Sequence, residues 1–254
     1  MAGQNKLNII IPSYKRAGMV AGYKYFKTAS ICIPESQRDD YRKYYAAKRL
    51  IALPDAEDGN IARKRNWILR NIDRPLLMVD DDVSHLSMNE KRNYRRVRTI
   101  KLNREQAYEV IAEGFNLADQ FGCVYWGMNQ NYDPMNYQQY KPITLTQVVL
   151  GPFQGHLWHD IYFDERMGTK DDYDFSLQVL HRYKKLLRFN RFAYVCKHGD
   201  NSGGIVSGRS KEKEIKYCLA IMAKWGERVI RYRMPPRKMT DLLNGRTYVP
   251  IKGV

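Results

Sequence analysis

The 254-residue chain is 44% hydrophobic and 28% charged, enough apolar material for a sizeable core in one large domain or two small ones. Its formal net charge of +16 and pI near 9.6 exceed what solubility asks of a chain this size and favour polyanionic partners: nucleic acid, nucleotides or an anionic membrane surface. No apolar run approaches the ~18 residues of a transmembrane helix, Met1 to Lys6 lacks a signal-peptide core, and the scattered Cys32, Cys123, Cys196 and Cys218 form no C-x-x-C pair. The expectation is a cytoplasmic protein with reduced thiols and no membrane partner.

In chain order, Leu7-Asn8-Ile9-Ile10-Ile11 is a β-branched run that predicts a central strand, broken by Pro12-Ser13-Tyr14-Lys15-Arg16. Val20 to Phe26 fits a short helix, Ala29 to Pro34 a second strand and Glu35 to Arg49 a helix. Leu50 to Pro54 reads as a third strand and Asn60 to Asn71 as a helix. Leu76-Leu77-Met78-Val79 then runs into Asp80-Asp81-Asp82. Strand and helix alternate throughout this half, which predicts an α/β, Rossmann-like, mostly parallel sheet flanked by helices.

Beyond this point, residues 91–104 hold seven basic residues and no acidic one. Residues 104–121 predict an amphipathic helix. Residues 124–140 interleave Tyr125, Trp126 and Tyr140 with Asn and Gln, a pattern that suits either base stacking or an aromatic hairpin packed on the sheet. A strand over 143–150, a loop over 151–156, a helix over 175–187, a strand over 192–196 and a helix over 211–227 follow, ending in a basic helical C-terminal extension.

A buried strand cannot carry three adjacent carboxylates in its core, so Asp80-Asp81-Asp82 must lie where the strand leaves the sheet. That carboxyl edge is where open α/β sheets bind ligands. On an extended chain Asp80 and Asp82 point one way and Asp81 the other. Hard carboxylates at i and i+2 suit a hard divalent cation, with a solvated acidic turn as the plain alternative.

The order Pro12-Ser13-Tyr14-Lys15-Arg16, Gly59-Asn60-Ile61-Ala62-Arg63-Lys64-Arg65-Asn66, Asp80-Asp81-Asp82, Asp171-Asp172-Tyr173-Asp174 and a late strand ending at His198 resembles a GT-A type nucleotide-sugar glycosyltransferase over residues 7–204. Among such enzymes it is similar to the small basic glycosyltransferases associated with the TET/JBP oxygenases of phages and kinetoplastids, which act on hydroxymethylated pyrimidines in DNA. The resemblance implies one GT-A domain over 1–254, with a nucleotide-sugar half at 7–90, an acceptor half at 91–208 and a C-terminal helix and basic tail at 209–254. It further implies that Pro12, Ser13, Tyr14 and Arg16 hold the nucleoside, that Arg63 and Asn66 (with Arg65 as a further choice) meet the pyrophosphate, and that Asp80 and Asp81 complete the donor site. Asp80, Asp82 and His198 are the implied ligands of Mn²⁺ or Mg²⁺. Asp172, with Asp171 as its rival, is the implied base of an inverting transfer of glucose from a UDP-sugar to a hydroxymethylated base in DNA; the family pair is usually Glu-Asp, here Asp171-Asp172. A glycan, lipid or protein acceptor, and a non-catalytic nucleic-acid-binding protein, are the competing readings.

Overall fold

The computed structural model describes residues 7–93, 96–130, 137–196, 210–243 and 245–249, with the backbone alone for 91–93 and 96–97. The strands expected in the first half form β1 (Asn8–Pro12), β2 (Ser30–Pro34), β3 (Leu50–Leu53) and β4 (Leu76–Val79), separated by helices α1 (Ala21–Tyr25), α2 (Arg38–Arg42) and α3 (Ile61–Asn71). α2 is shorter than the expected 35–49 helix, because 3-10 turns take up Glu35–Gln37 and Ala47–Arg49. The second half contributes β5 (Val83–Asn93), β6 (Arg96–Lys101), α4 (Arg104–Gln120), β7 (Tyr125–Asn129), β8 (Ile143–Thr144), β9 (Phe153–His156), α5 (Asp171–Tyr183) and β10 (Leu187–Cys196). The C-terminal segment adds α6 (Lys211–Trp225), β11 (Ile230–Arg231), α7 (Thr240–Leu243) and β12 (Arg246–Thr247).

One sheet runs β3-β2-β1-β4-β9-β7-β10-β5-β6, with β8 also paired to β10. β1 pairs in parallel with both β2 and β4, and β2 with β3, as the alternation of strands and helices demands. The second half adds antiparallel pairings of β9 with β4 and β7, and of β5 with β6 and β10. Both faces are covered. Ile10, Leu76 and Met78 pack with Ile68 and Leu69 of α3, Phe175 of α5 and Ile221 of α6. Ile9, Ile11, Leu77 and Val79 pack with Phe26, Tyr41 and the α4 residues Ala107 and Ile111. Such two-sided burial explains why these strands read as continuous apolar runs. The chain reverses its strand order between β1 and β4, so a crevice opens at their carboxyl ends. Among the described residues no helix is long and apolar enough to cross a membrane.

The expected strand at 143–150 is confined to Ile143–Thr144. Val149 instead satisfies its backbone on a side chain of α5: its N–H donates to Ser176 Oγ at 3.0 Å, and Ser176 Oγ donates to its carbonyl at 2.6 Å. The strand lies in the expected loop, at β9, where a side chain on Gly155 would collide with Trp126: a Cβ there would lie 2.0 Å from Nε1.

Candidate active site

The crevice is built from the ends of β1 and β4, the first turns of α3 and α5, and the loop before β9. Asp80, Asp81 and Asp82 lie on a turn rather than an extended strand, closed by Val83 N–H on Asp80 O at 3.2 Å. Asp81 turns to the β1 loop, while burial and then Asp82 and Asp80 raise the pKa of the Cys196 thiol at the end of β10. Asp80 also meets Arg65, and Asp82 lies beside that thiol.

Asp81 is buried, accepting from Ser13 Oγ at 2.7 Å and pairing with the Arg16 guanidinium. Tyr41 OH joins them at 2.8 Å from Ser13 Oγ and accepts from Arg16 N at 2.9 Å. The Asp81 carbonyl accepts from Ala21 N at 2.8 Å, at the start of α1. Burial pushes the Asp81 carboxyl up to about 6, against the pull of Arg16 and Ser13. The polar groups of Ser13, Arg16 and Asp81 are turned on one another, fixing the shape of the loop after Pro12. Tyr14 and Lys15 of that loop are exposed, Tyr14 at 40%, with the ammonium groups of Lys15 and Lys64 at 5.2 and 5.5 Å from its ring centre.

At the start of α3, Asn60 caps the helix, accepting from Arg63 N at 2.9 Å. Arg63 is half exposed but donates to Ala56 O at 2.6 Å and lies 3.7 Å from Glu165. Asn66 is buried and pairs in both directions with the Phe163 backbone, at 2.9 and 2.7 Å, and donates to Glu165 Oε1 at 3.2 Å. Lys64, to which the sequence motif assigns no role, is the buried cation at the crevice floor. It donates to Ser13 O at 2.7 Å and lies 3.4 Å from Asp58, and burial lowers its pKa.

Arg65 is the hub. Its guanidinium is 3% exposed and donates to Asp171 Oδ2 at 2.8 Å, Asp80 Oδ1 at 2.9 Å and Gly151 O at 3.2 Å. Burial opposes its charge, but Asp80, Asp171 and Asp172 outweigh burial and hold it charged. Asp171 is buried, and burial pushes its carboxyl up to about 7 despite Arg65. Asp172 is half-buried and oriented by two backbone donors, Gly151 N at 2.8 Å and Tyr173 N at 2.7 Å; burial raises its pKa as well. The same loop holds Asp80, whose N–H donates to Pro152 O at 2.9 Å. Asp80, Gly151, Asp171 and Asp172 thus form one connected set at the sheet edge. Of its carboxylates, Asp80 keeps 28% of its side chain exposed and Asp171 5%.

The C-terminal segment is bolted to this turn. Lys170, next to Asp171, is buried against Glu214 of α6 at 2.9 Å and donates to Leu242 O at 2.6 Å. Asp174 accepts from Trp225 Nε1 at 2.7 Å and pairs with Lys224 at 2.8 Å.

Asp80 and Asp82 have the donor type a hard divalent cation takes, with part of the Asp80 carboxylate open to the crevice. Among the described residues no three His, Cys, Asp or Glu side chains converge on a metal position, and His198 lies outside them. Of the aromatic stretch, which suits either base stacking or packing on the sheet, Tyr125 and Trp126 are fully buried and Tyr137 nearly so, while Tyr140 is 84% exposed. Residues 131–136 lie outside the described residues, as does Arg95 of the basic run.

A family model described as TET-associated glycosyltransferase matches residues 7–204. Over 127 residues, 47% of this chain, the sequence is 28% identical to the beta-glucosyl-HMC-alpha-glucosyl-transferase of Enterobacteria phage T6. The aligned part is 44% of that protein, so the chain spans less than half the length of this relative. The crystal structure of S. aureus TarS 1-349 aligns with a TM-score of 0.47 and 15% identity, covering 75% of this chain and 59% of that one. The family match spans well over half of the chain, which belongs to the TET-associated glycosyltransferases and is a glycosyltransferase.

Proposed function

We propose that this TET-associated glycosyltransferase moves glucose from UDP-glucose to a hydroxymethylated pyrimidine of DNA. The observation that carries the reading is the connected set Asp80–Arg65–Asp171–Asp172, held at the β1/β4 crevice where a nucleotide fits the fold. The family supports sugar transfer, and the excess of positive charge supports a polyanionic acceptor.

In this reading the nucleoside lies along Tyr14 and the end of β1, above the Lys64 ammonium. Asp80 and Asp82 would hold Mn²⁺ or Mg²⁺, which when bound offsets charge on the departing diphosphate. Asp172 is the general base. Its two backbone donors fix the carboxylate and leave lone pairs for the acceptor hydroxyl. The hydroxyl proton passes to Asp172 as its oxygen bonds to the sugar carbon, and the bond from that carbon to the diphosphate breaks. Asp171, locked on Arg65, keeps the base and Asp80 in register.

The T6 relative supports a second reading, since its name describes a transfer onto glucosyl-HMC. There the acceptor hydroxyl belongs to a sugar already on the base. UDP release is the deciding assay, run with DNA carrying hydroxymethylcytosine or hydroxymethyluracil, with the same DNA already glucosylated, and with unmodified DNA. Stimulation by the first supports the main reading and by the second alone the other. UDP release that no DNA stimulates points to a glycan, lipid or protein acceptor, and DNA binding without UDP release to a non-catalytic protein.

A further inference from the structure

A cavity of about 330 Å³ opens between the segment 146–150, Arg188 of β10 and the C-terminal strand β12. Leu150 and Tyr173 line it, and the Tyr173 hydroxyl feels the charges of both Asp172 and Arg188, which puts the cavity near the oriented carboxylate. Its volume is that of a small-ligand site. Its chemistry is polar: Gln130 and Gln147 offer amides, Arg188 a guanidinium, and Tyr248 a ring that is 69% exposed.

Arg188 is the unusual member. It is half-buried on β10, and three of its N–H groups are engaged, all by neutral acceptors: Asn190 Oδ1 at 3.0 Å, Val148 O at 3.3 Å and Gln147 Oε1 at 2.5 Å. No carboxylate pairs with it among the described residues, in contrast to the hub arginine Arg65. Burial lowers its pKa, the mark of a charge held without a counterion. A guanidinium carries five N–H donors in a planar fork, so two remain to serve the cavity. Such a charge is matched best by an anion that takes two parallel hydrogen bonds, as phosphate does.

We propose that this cavity binds one nucleotide of the acceptor strand, with its phosphate on Arg188 and its base against Tyr248. This rests on the reading of DNA as the acceptor. A nucleotide held there has left the stack, and its base edge meets the amides of Gln130 and Gln147, the arrangement that chemistry on a base requires.

The test uses the full chain and a short single-stranded DNA carrying hydroxymethylcytosine. Binding is followed by fluorescence anisotropy across a salt series, with UDP affinity measured in parallel. Arg188→Gln should weaken DNA binding about tenfold or more and make the slope of log K against log salt shallower by about 0.7, the share of one neutralised phosphate on a single strand. Tyr248→Ala should weaken binding about five- to a hundredfold, the scale of a lost base stack, with the slope unchanged. UDP affinity should hold in both. If the unaltered protein binds DNA and both variants bind it equally well, the pocket assignment is overturned while the DNA reading stands. If the unaltered protein binds UDP but not DNA, both are overturned. Should Arg188→Gln also lose UDP affinity, its fold is damaged and Tyr248→Ala decides alone.

Discussion

Asp80, at the end of β4, and Asp171, at the start of α5, are joined through one buried guanidinium, with Arg65 donating to them at 2.9 and 2.8 Å. Two segments far apart in sequence are thereby fixed at one edge of the sheet. Truncating Arg65 would leave Asp171 buried without its cation, and breaking a buried pair in this way costs about 3–5 kcal/mol. Arg65→Met should lower stability to urea by that order. Arg65→Lys should fail to restore activity, because a single ammonium cannot span two carboxylates as a fork does. An Arg65→Lys enzyme with full activity and stability would show that the bridge is dispensable.

The assignment of the base is tested at the neighbouring pair. Asp172→Asn keeps the shape and the Gly151 hydrogen bond but cannot take the acceptor proton. Turnover should fall about 10²-fold or more, the scale of general-base catalysis, with UDP-sugar affinity preserved. Asp171→Asn should retain more turnover but lose stability through Arg65. The reverse pattern, an inactive Asp171→Asn beside a normal Asp172→Asn, assigns the base to Asp171.

The same pair predicts the pH behaviour. Burial raises the Asp171 carboxyl from its ordinary 3.8 to about 7, so the folded chain keeps a proton that the unfolded chain releases. Its contribution to stability is full below about pH 4 and is lost as pH rises towards 7. The acid limb of kcat/KM should correspondingly fall near neutrality and belong to the Asp171–Asp172 pair jointly. Asp171→Asn should flatten the loss of stability over that window in a pH series of melts. It should also move the acid limb to lower pH, since the like charge beside Asp172 is gone. An acid limb that stays in place in Asp171→Asn removes the coupling between the two.

The cation proposed for Asp80 and Asp82 is tested by its removal. Chelation with EDTA should abolish transfer, and Mn²⁺ or Mg²⁺ should restore it. Calorimetric titration of Mn²⁺ in the presence of UDP should show a site that Asp82→Ala loses. Full transfer by Asp82→Ala in chelator would rule out a role for the cation.

Much of this was legible in the residues. Ile9-Ile10-Ile11 and Leu76-Leu77-Met78-Val79 could only be strands covered on both faces, which fixed the crevice and put Asp80 at its edge. What remained hidden depended on where polar side chains turn once the chain is packed. Arg65 lies three residues after Ala62 and four before Leu69, both buried, so it sits in the apolar stripe of α3. A charge in such a stripe calls for buried partners, and that spacing was the available signal for the hub. Asn66, four residues after Ala62 and three before Leu69, lies in the same stripe and carries the same signal, whereas Arg16 carries no comparable mark. Their partners, the Phe163 backbone and Asp81, come from 97 and 65 residues away. The turn at Asp80–Asp82 likewise escaped the alternation rule, because β5 starts at Val83 and the chain must reverse between the two strands.

The acceptor is tested last, by salt. Residues 91–93 end β5 and Arg96–Lys101 form β6, so the described part of the basic run lies on one edge of the sheet. Arg98 pairs with Glu90 at 2.5 Å, but both are surface groups, and such an exposed pair gives way readily to a phosphate. Lys101 and Arg104 are exposed on the same segment. If about five phosphates are neutralised there, log K for duplex DNA should fall against log salt with a slope near −4 to −5. Arg98→Glu with Lys101→Glu should make the slope shallower by about 2, roughly one unit for each phosphate no longer neutralised, and weaken binding at low salt far more than at high salt. UDP-sugar hydrolysis in the absence of DNA should be untouched, because the proposed donor site at Arg65 and the end of β4 lies away from this edge of the sheet. A slope that stays the same in the double variant moves the DNA track off this edge, and binding that ignores salt altogether points to an uncharged acceptor.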